Sequence, residues 1–88
     1  MLIGKTAAFE KAHRKRILKN SELSRIFDEK ILLFEKEPHH PSLDTHKLSG
    51  KLKGYWAFTI AYDCRVVFDL IEPDKALLID VGKHDEVY

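Results

Sequence analysis

The hydrophobic residues in the first part of the chain recur with the period of a helix. Residues 1–5 predict a short edge strand, and Thr6 has a side chain that suits a helix cap. The pattern that follows predicts a first helix over residues 7–19, with a thin apolar face. That face consists of Phe9, Ala12 and Ile17, with His13 beside them.

A second helix is predicted to begin at Asn20 or Ser21 and to run to about Glu37, where prolines interrupt the pattern. Its apolar residues fall on one side at helical spacing. They are Leu23, Ile26, Phe27, Ile31 and Phe34. Leu32 projects to the opposite side, where it is either an ordinary exposed leucine or part of a partner interface.

Beyond a proline-flanked loop, apolar residues alternate with small or polar ones, as in strands with one buried face. The alternation predicts strands over residues 56–62, 64–71 and 76–81. The apolar positions are Trp56, Phe58, Ile60 and Tyr62 in the first strand and Cys64, Val66, Phe68 and Leu70 in the second. Three strands joined by short turns predict a small antiparallel sheet, with the N-terminal helical hairpin packed on its apolar face. The sequence therefore predicts an α+β fold. The face of the sheet opposite the helices, with Arg65 and Thr59, is then free for binding.

The net charge of the chain indicates little about function, but the charged residues are distributed unevenly along it. The chain has 88 residues, which suits a single domain over 1–88, and its net charge is only +1. Residues 1–20 carry six basic residues and one acidic residue, whereas residues 69–88 carry six acidic and two basic residues. A local phosphate-binding face is compatible with this segregation, and so is a solvated helix face. No run approaches the roughly 18 apolar residues of a membrane span, so we expect a cytoplasmic protein.

Three short motifs follow one another in the second half of the chain. The first is HKLSG over residues 46–50, followed by LKGYW over residues 52–56. The second is DCRVVF over residues 63–68, and the third is VGKHDEVY over residues 81–88. In this order and spacing the motifs resemble those of the RelE/ParE superfamily of toxins, and the order of helices and strands predicted above agrees with that fold.

The resemblance implies a type II toxin that is held inactive by an antitoxin whose segments wrap it. Within the superfamily, the RelE and YafQ branches cut messenger RNA on the ribosome, and the ParE branch inhibits DNA gyrase. The ending with His84 and Tyr88 is more similar to the RelE and YafQ branches. We therefore expect a ribosome-dependent endoribonuclease that needs no cofactor or metal and whose partners are an antitoxin, the ribosome and mRNA.

Metal-free RNA cleavage needs a base, positive charge for the phosphorane oxygens and an acid for the leaving oxygen. The resemblance assigns Arg65 to the scissile phosphate and His84 to proton transfer. It assigns Tyr88 to stacking on a base or positioning the 2′-hydroxyl. His46 and Asp63 match a loop histidine and a turn aspartate of the YafQ pattern, which makes them further candidates for proton transfer.

The chain also departs from the patterns that it resembles. RelE carries lysines on the strand that corresponds to residues 56–62, and none stands there in this sequence. Thr59, Cys64 and Asp80 stand where YafQ has a histidine, a tryptophan and an arginine. Lys47, Lys51 and Lys53 are candidates to replace the missing charge as contacts to the RNA backbone, or they simply solubilise a loop.

Simpler explanations remain open for several of these residues. Arg65 could form a cross-strand ion pair with Asp69 or Asp63, and the terminal residues could be exposed and frayed. Two other functions also remain open: gyrase inhibition without chemistry, and a catalytically degenerate homologue that only binds an antitoxin.

Histidine and cysteine chemistry of other kinds is not favoured by the sequence. His39 and His40, together with His46 and His84, do not have the spacing of a zinc site, so no metal is expected. The only cysteine, Cys64, excludes an internal disulfide and falls on an apolar face. We expect it to be a core residue rather than a nucleophile.

Overall fold

Two N-terminal helices lie across one face of a five-stranded sheet in the computed structural model, which describes residues 1–88. The elements are β1 (Leu2–Lys5), α1 (Ala7–Arg16), α2 (Ser21–Lys36), β2 (His46–Lys47), β3 (Trp56–Ala61), β4 (Cys64–Glu72), β5 (Lys75–Gly82) and α3 (His84–Val87). Short 3-10 turns cover Pro41–Leu43 and Gly50–Leu52. The predicted α+β fold, with its helical hairpin on a sheet, is confirmed. No helix is both long and apolar enough to cross a membrane.

The two helices begin at the predicted caps. The Thr6 hydroxyl accepts a hydrogen bond from the backbone N–H of Phe9, and the Asn20 side chain accepts one from Leu23. The first helix ends at Arg16, three residues earlier than predicted. It ends there because Ile17 turns fully into the core and Asn20 must leave the helical conformation to cap α2.

Strands β3, β4 and β5 form the predicted antiparallel meander. The outer strands complete the sheet in the order β1-β5-β4-β3-β2. β1 pairs with β5 in parallel, so the sheet is mixed rather than wholly antiparallel. β2 has only two residues and pairs antiparallel with β3 at the other edge. β2 attaches the loop that carries His46 to the sheet, and the C-terminal segment follows directly from β5.

The core lies between the helices and the sheet. The Phe34 ring stacks on Phe58 with 4.2 Å between ring centroids and meets Phe68 edge-on at 5.0 Å. Cys64 is part of this core, as predicted, and burial raises the pKa of its thiol to about 11. The fully buried large side chains are Phe9, Ile17, Phe34, Leu43, Phe58, Ile60, Val66, Val67, Phe68, Leu78 and Val81.

Tyr62 does not lie on the apolar face of β3, and the prediction that it does was wrong. The register between β3 and β4 shifts between Thr59 and Ala61, and the strand ends at Ala61. Tyr62 therefore projects from the turn and is 97% exposed. The irregular register breaks the strict alternation from which the prediction was made.

Candidate functional site

The face of the sheet that points away from α1 and α2 carries the candidate residues. Arg65 on β4 pairs with Thr59, and His46 on β2 pairs with Ala57, two residues earlier on β3. Because side chains alternate along a strand, His46 and Arg65 lie on the same face. Strand spacing and rise put their Cα atoms about 12 Å apart.

The guanidinium of Arg65 is held against the turn between β3 and β4. Its NH1 group donates to the carbonyl oxygens of Ala61, Tyr62 and Cys64 at 3.1, 3.2 and 3.3 Å. All three bonds use the same nitrogen, so Nε and the second amino group keep their N–H donors for a ligand. Arg65 forms no ion pair with Asp69 or with the turn aspartate. The group is therefore both oriented and available for an oxyanion.

The ring of His46 is fixed by a backbone carbonyl. Its Nδ1 lies 2.7 Å from the carbonyl oxygen of Asp44. A carbonyl oxygen only accepts hydrogen bonds, so Nδ1 is the donor and carries a proton. In the neutral ring Nε2 is then unprotonated. Asp44 presents its carbonyl from a left-handed backbone conformation, with φ of 47°, which aspartate tolerates better than most residues.

Tyr88 and His84 meet at the C-terminal end of the chain. The edge of one ring faces the other, with 4.7 Å between centroids and an interplanar angle of 83°. The backbone N–H of Tyr88 donates to the carbonyl of His84 at 2.9 Å, which closes the single turn of α3. The His84 side chain is 69% exposed, and its Nδ1 lies 3.7 Å from a carboxylate oxygen of Asp85.

Tyr88 also lines a cleft of about 250 Å³ together with Leu48, Ser49, Lys51 and Leu52. Partial burial of the phenol raises the pKa of Tyr88 above its ordinary value of 10. The hydroxyl is therefore neutral at physiological pH and can donate a hydrogen bond.

The charges of Arg65 and Asp44 act on the Tyr88 phenol in opposite senses. Arg65 lowers the Tyr88 pKa and Asp44 raises it, both by less than burial does. We call the cleft that Tyr88 and Lys51 line the Tyr88 cleft. His84 contacts the Tyr88 ring, and Arg65 and His46 lie together on one face of the sheet.

Three other predicted residues lie outside the Tyr88 cleft. Lys47 pairs with Trp56, and its ammonium stands over the indole at 5.4 Å, on the face covered by the helices. Asp63 lies in the exposed turn before β4 and lines a separate cavity of about 640 Å³ at the end of the sheet. Lys53 follows the turn Gly50–Leu52 and is exposed.

No three histidine, cysteine, aspartate or glutamate side chains stand close enough together to hold a metal ion. The His39 ring faces the edge of Trp56, with 6.0 Å between centroids. The Nδ1 atom of His40 accepts from the backbone N–H of Ser42 in the loop after α2. Both histidines therefore have local structural contacts.

Sequence reasoning missed an ion-pair network beside the site. Arg16 at the end of α1 contacts Asp80 on β5 and Glu86 on α3. It also missed Asp44, which orients His46. The segregation of basic and acidic residues along the chain was compatible with ion pairs between its two ends, but it did not indicate which residues form them.

The sequence matches, over residues 1–88, the family described as the bacterial toxin of type II toxin–antitoxin system, YafQ. A copper-bound mutant toxin from Helicobacter pylori is 29% identical, has a TM-score of 0.77, and is matched over 100% of this chain and 99% of that one. YafQ from E. coli strain BL21(DE3) shares the fold with a TM-score of 0.81 at 15% identity, over 98% and 96% of the two chains.

A third similar structure is the E. coli DinJ–YafQ toxin–antitoxin complex. It matches with a TM-score of 0.70 at 15% identity, over 98% of this chain and 94% of that chain. Among curated protein sequences there is no match.

Proposed function

Because the chain belongs to the YafQ family of toxins from type II toxin–antitoxin systems, we propose that it is a ribosome-dependent endoribonuclease that cuts mRNA and inhibits translation. Residues 1–88 act as one toxin domain in the cytoplasm. A cognate antitoxin holds the toxin inactive, in line with the DinJ–YafQ complex of the same fold. The observation that carries the nuclease proposal is the fixed ring of His46, with an unprotonated Nε2, on the same face as Arg65.

The proposed reaction is an attack by a ribose 2′-oxygen on the adjacent phosphorus. A bond forms between that oxygen and phosphorus, and the bond from phosphorus to the 5′-oxygen of the next nucleotide breaks. The proton of the 2′-hydroxyl passes to a base, and an acid gives a proton to the leaving 5′-oxygen. The products are a 2′,3′-cyclic phosphate and a 5′-hydroxyl. The reaction is not a redox step, and protein side chains suffice for it.

His46 is the proposed base. The bond from Nδ1 to the carbonyl of Asp44 fixes both the tautomer and the plane of the ring. Nε2 can then take the proton of the 2′-hydroxyl without a change of tautomer. This arrangement resembles the general logic in which a second group orients a catalytic histidine.

Arg65 is the proposed ligand of the scissile phosphate. Its anchored NH1 group leaves a fork of N–H donors, which matches two phosphate oxygens better than an ammonium does. Charge builds up on those oxygens as the phosphorane forms, so donors that are already in place lower the barrier. Lys51, at the rim of the Tyr88 cleft, adds positive charge for the RNA backbone.

His84 is the proposed acid, and Tyr88 holds the nucleotide. The exposed imidazole of His84 can gain a proton from solvent between turnovers. The Tyr88 ring, 43% exposed, offers a surface on which a splayed base can stack. Lys47, Lys53 and Asp63 do not line this cleft and have no assigned step.

The test is cleavage of a defined mRNA by the purified protein, with and without programmed ribosomes. We expect cuts only with ribosomes, ending in a 2′,3′-cyclic phosphate, and a loss of about 100-fold or more in rate for Arg65→Ala. Arg25→Ala is the matched control, because Arg25 is an exposed arginine whose partners lie on its own helix. It is expected to cut like the wild type. A folded protein that leaves mRNA intact on ribosomes would overturn the proposal, and gyrase inhibition would then be assayed.

A further inference from the structure

The side chain of Arg16 joins three elements at the end of the sheet. Its NH1 group donates to a carboxylate oxygen of Asp80 and to the carbonyl of Val81, both at 3.1 Å. Its Nε lies 3.5 Å from a carboxylate oxygen of Glu86. The Arg16 side chain is only 25% exposed, so these contacts are less screened by solvent than those of a surface pair.

Glu86 in turn fixes the start of α3. Its Oε1 accepts a hydrogen bond from the backbone N–H of Lys83 at 2.7 Å, while Oε2 faces Arg16. One carboxylate thus connects the end of α1 to the first residue before α3. The helix is a single turn of four residues, too short to be stable on its own.

The chain is shaped to let Arg16 reach this position. Gly82 ends β5 directly under the arginine side chain. A Cβ on Gly82 would stand 2.9 Å from the Glu86 carboxylate and 3.0 Å from both Cδ and NH1 of Arg16. Asp80 is held by the backbone N–H of Val81 at 2.8 Å, so its carboxylate is already oriented toward the arginine. The space at Gly82 and the orientation of Asp80 both match the Arg16 side chain, so the contact is more specific than a pairing of surface charges.

We propose that Arg16 is a positioning residue that locks α3 to the sheet and so holds His84 and Tyr88 at the Tyr88 cleft. The proposal rests on the proposed nuclease function and adds to it a residue from the opposite end of the chain. His84 is the first residue of α3, and Tyr88 is tied to it through the backbone bond that closes the turn. Without the lock, a turn of only four residues is not stable in its place.

The test compares Arg16→Met, which keeps an unbranched side chain but removes the charge, with Arg25→Met on the exposed face of α2. Cleavage on ribosomes is measured in single turnovers as rate and as half-saturating ribosome concentration. We expect Arg16→Met to lower the rate between about 10-fold and 100-fold and to raise the half-saturating ribosome concentration, because the acid and the stacking ring are both misplaced. Arg25→Met is expected to match the wild type.

A second readout needs no RNA. In the wild-type protein we expect the edge-on contact between the His84 and Tyr88 rings to shift the His84 ring protons, and the hydrogen-bonded amides of Val87 and Tyr88 to be protected from exchange. Arg16→Met is expected to remove that shift and speed exchange in α3, while protection in β4 is kept. Glu86→Gln is expected to do the same, and the double variant to be no worse than either single variant.

An Arg16→Met protein with native α3 signals would overturn the lock, and one with loosened α3 but wild-type cleavage would overturn its role in catalysis. If the wild-type protein cuts no RNA, the nuclease proposal fails. In that case a loosened α3 in Arg16→Met still supports the lock.

Discussion

His46→Asn separates the two roles that the structure gives to His46. The amide nitrogen of asparagine occupies nearly the place of Nδ1, so it can still donate to the carbonyl of Asp44, which lies 2.7 Å from Nδ1. The substitution removes Nε2, the proposed base. His39→Asn is the matched control, because His39 packs against Trp56 and away from the Tyr88 cleft.

The expected loss follows from the chemistry that is removed. General base catalysis by a placed side chain contributes about 10²- to 10⁴-fold, or roughly 2.7 to 5.5 kcal/mol of barrier. The folded state loses little, because His46 is exposed and its one hydrogen bond is retained. We expect stability within about 0.5 kcal/mol of the wild type. A large loss of rate with an unchanged fold is therefore the signature of a missing base.

The assay is single-turnover cleavage of mRNA on programmed ribosomes over a range of pH, with thermal unfolding measured in parallel. Loss of the base is expected to lower the rate at every pH that is measured. If His46→Asn cuts mRNA within threefold of the wild-type rate while Arg65→Ala is inactive, His46 is not the base, and the argument from its tautomer fails.

Three further changes test the core and the site. Phe34→Ala is expected to lower the free energy of unfolding by about 3 to 5 kcal/mol, because the ring is fully buried; Leu32→Ala, at a position 58% exposed, should change little in the same urea titration. Burial lowers the pKa of His13 below 6.5, so the unfolded chain binds a proton at His13 more readily than the folded protein does. The free energy of unfolding is therefore highest above about pH 6.5 and falls as the pH drops below that value. Urea unfolding between about pH 7.5 and pH 5 should show a shallower loss for His13→Phe than for the wild type, and equal slopes would contradict this assignment. Tyr88→Phe should keep most of the cleavage rate and Tyr88→Ala should lose substrate binding by about 1 to 3 kcal/mol; equal losses would argue against stacking.

The helices and the meander were predictable because their patterns are long and local. The caps at Thr6 and Asn20 and the face containing Phe27 and Phe34 follow from spacing within a single segment. β1 was predicted as an edge strand, but four residues carry no information about its parallel partner. The exposure of Tyr62 depends on an irregular register that alternation alone does not reveal.

The candidate site was predicted as a set of residues but not as an arrangement. The resemblance pointed to Arg65 and His46, and the pairing of β2 with β3 is needed to put them on one face. The same pairing sends Lys47 to the opposite face, because neighbouring residues of a strand alternate. The bond from Arg16 to Asp80 joins residues 64 positions apart, which no local pattern can indicate.

The parallel pairing of β1 with β5 determines when the nascent chain can finish folding. The hydroxyl of Thr6, just after β1, donates to the carbonyl of Leu78, 72 positions later. During synthesis the helical hairpin emerges first, with its apolar faces uncovered, and β1 has no neighbour until residues 75–78 have been added. Closing so long a loop is entropically costly and slow compared with forming a helix. Until β5 has been added, the growing polypeptide therefore lacks the strand that joins β1 to the rest of the sheet, and the apolar face of α1 lacks the strand on which it packs.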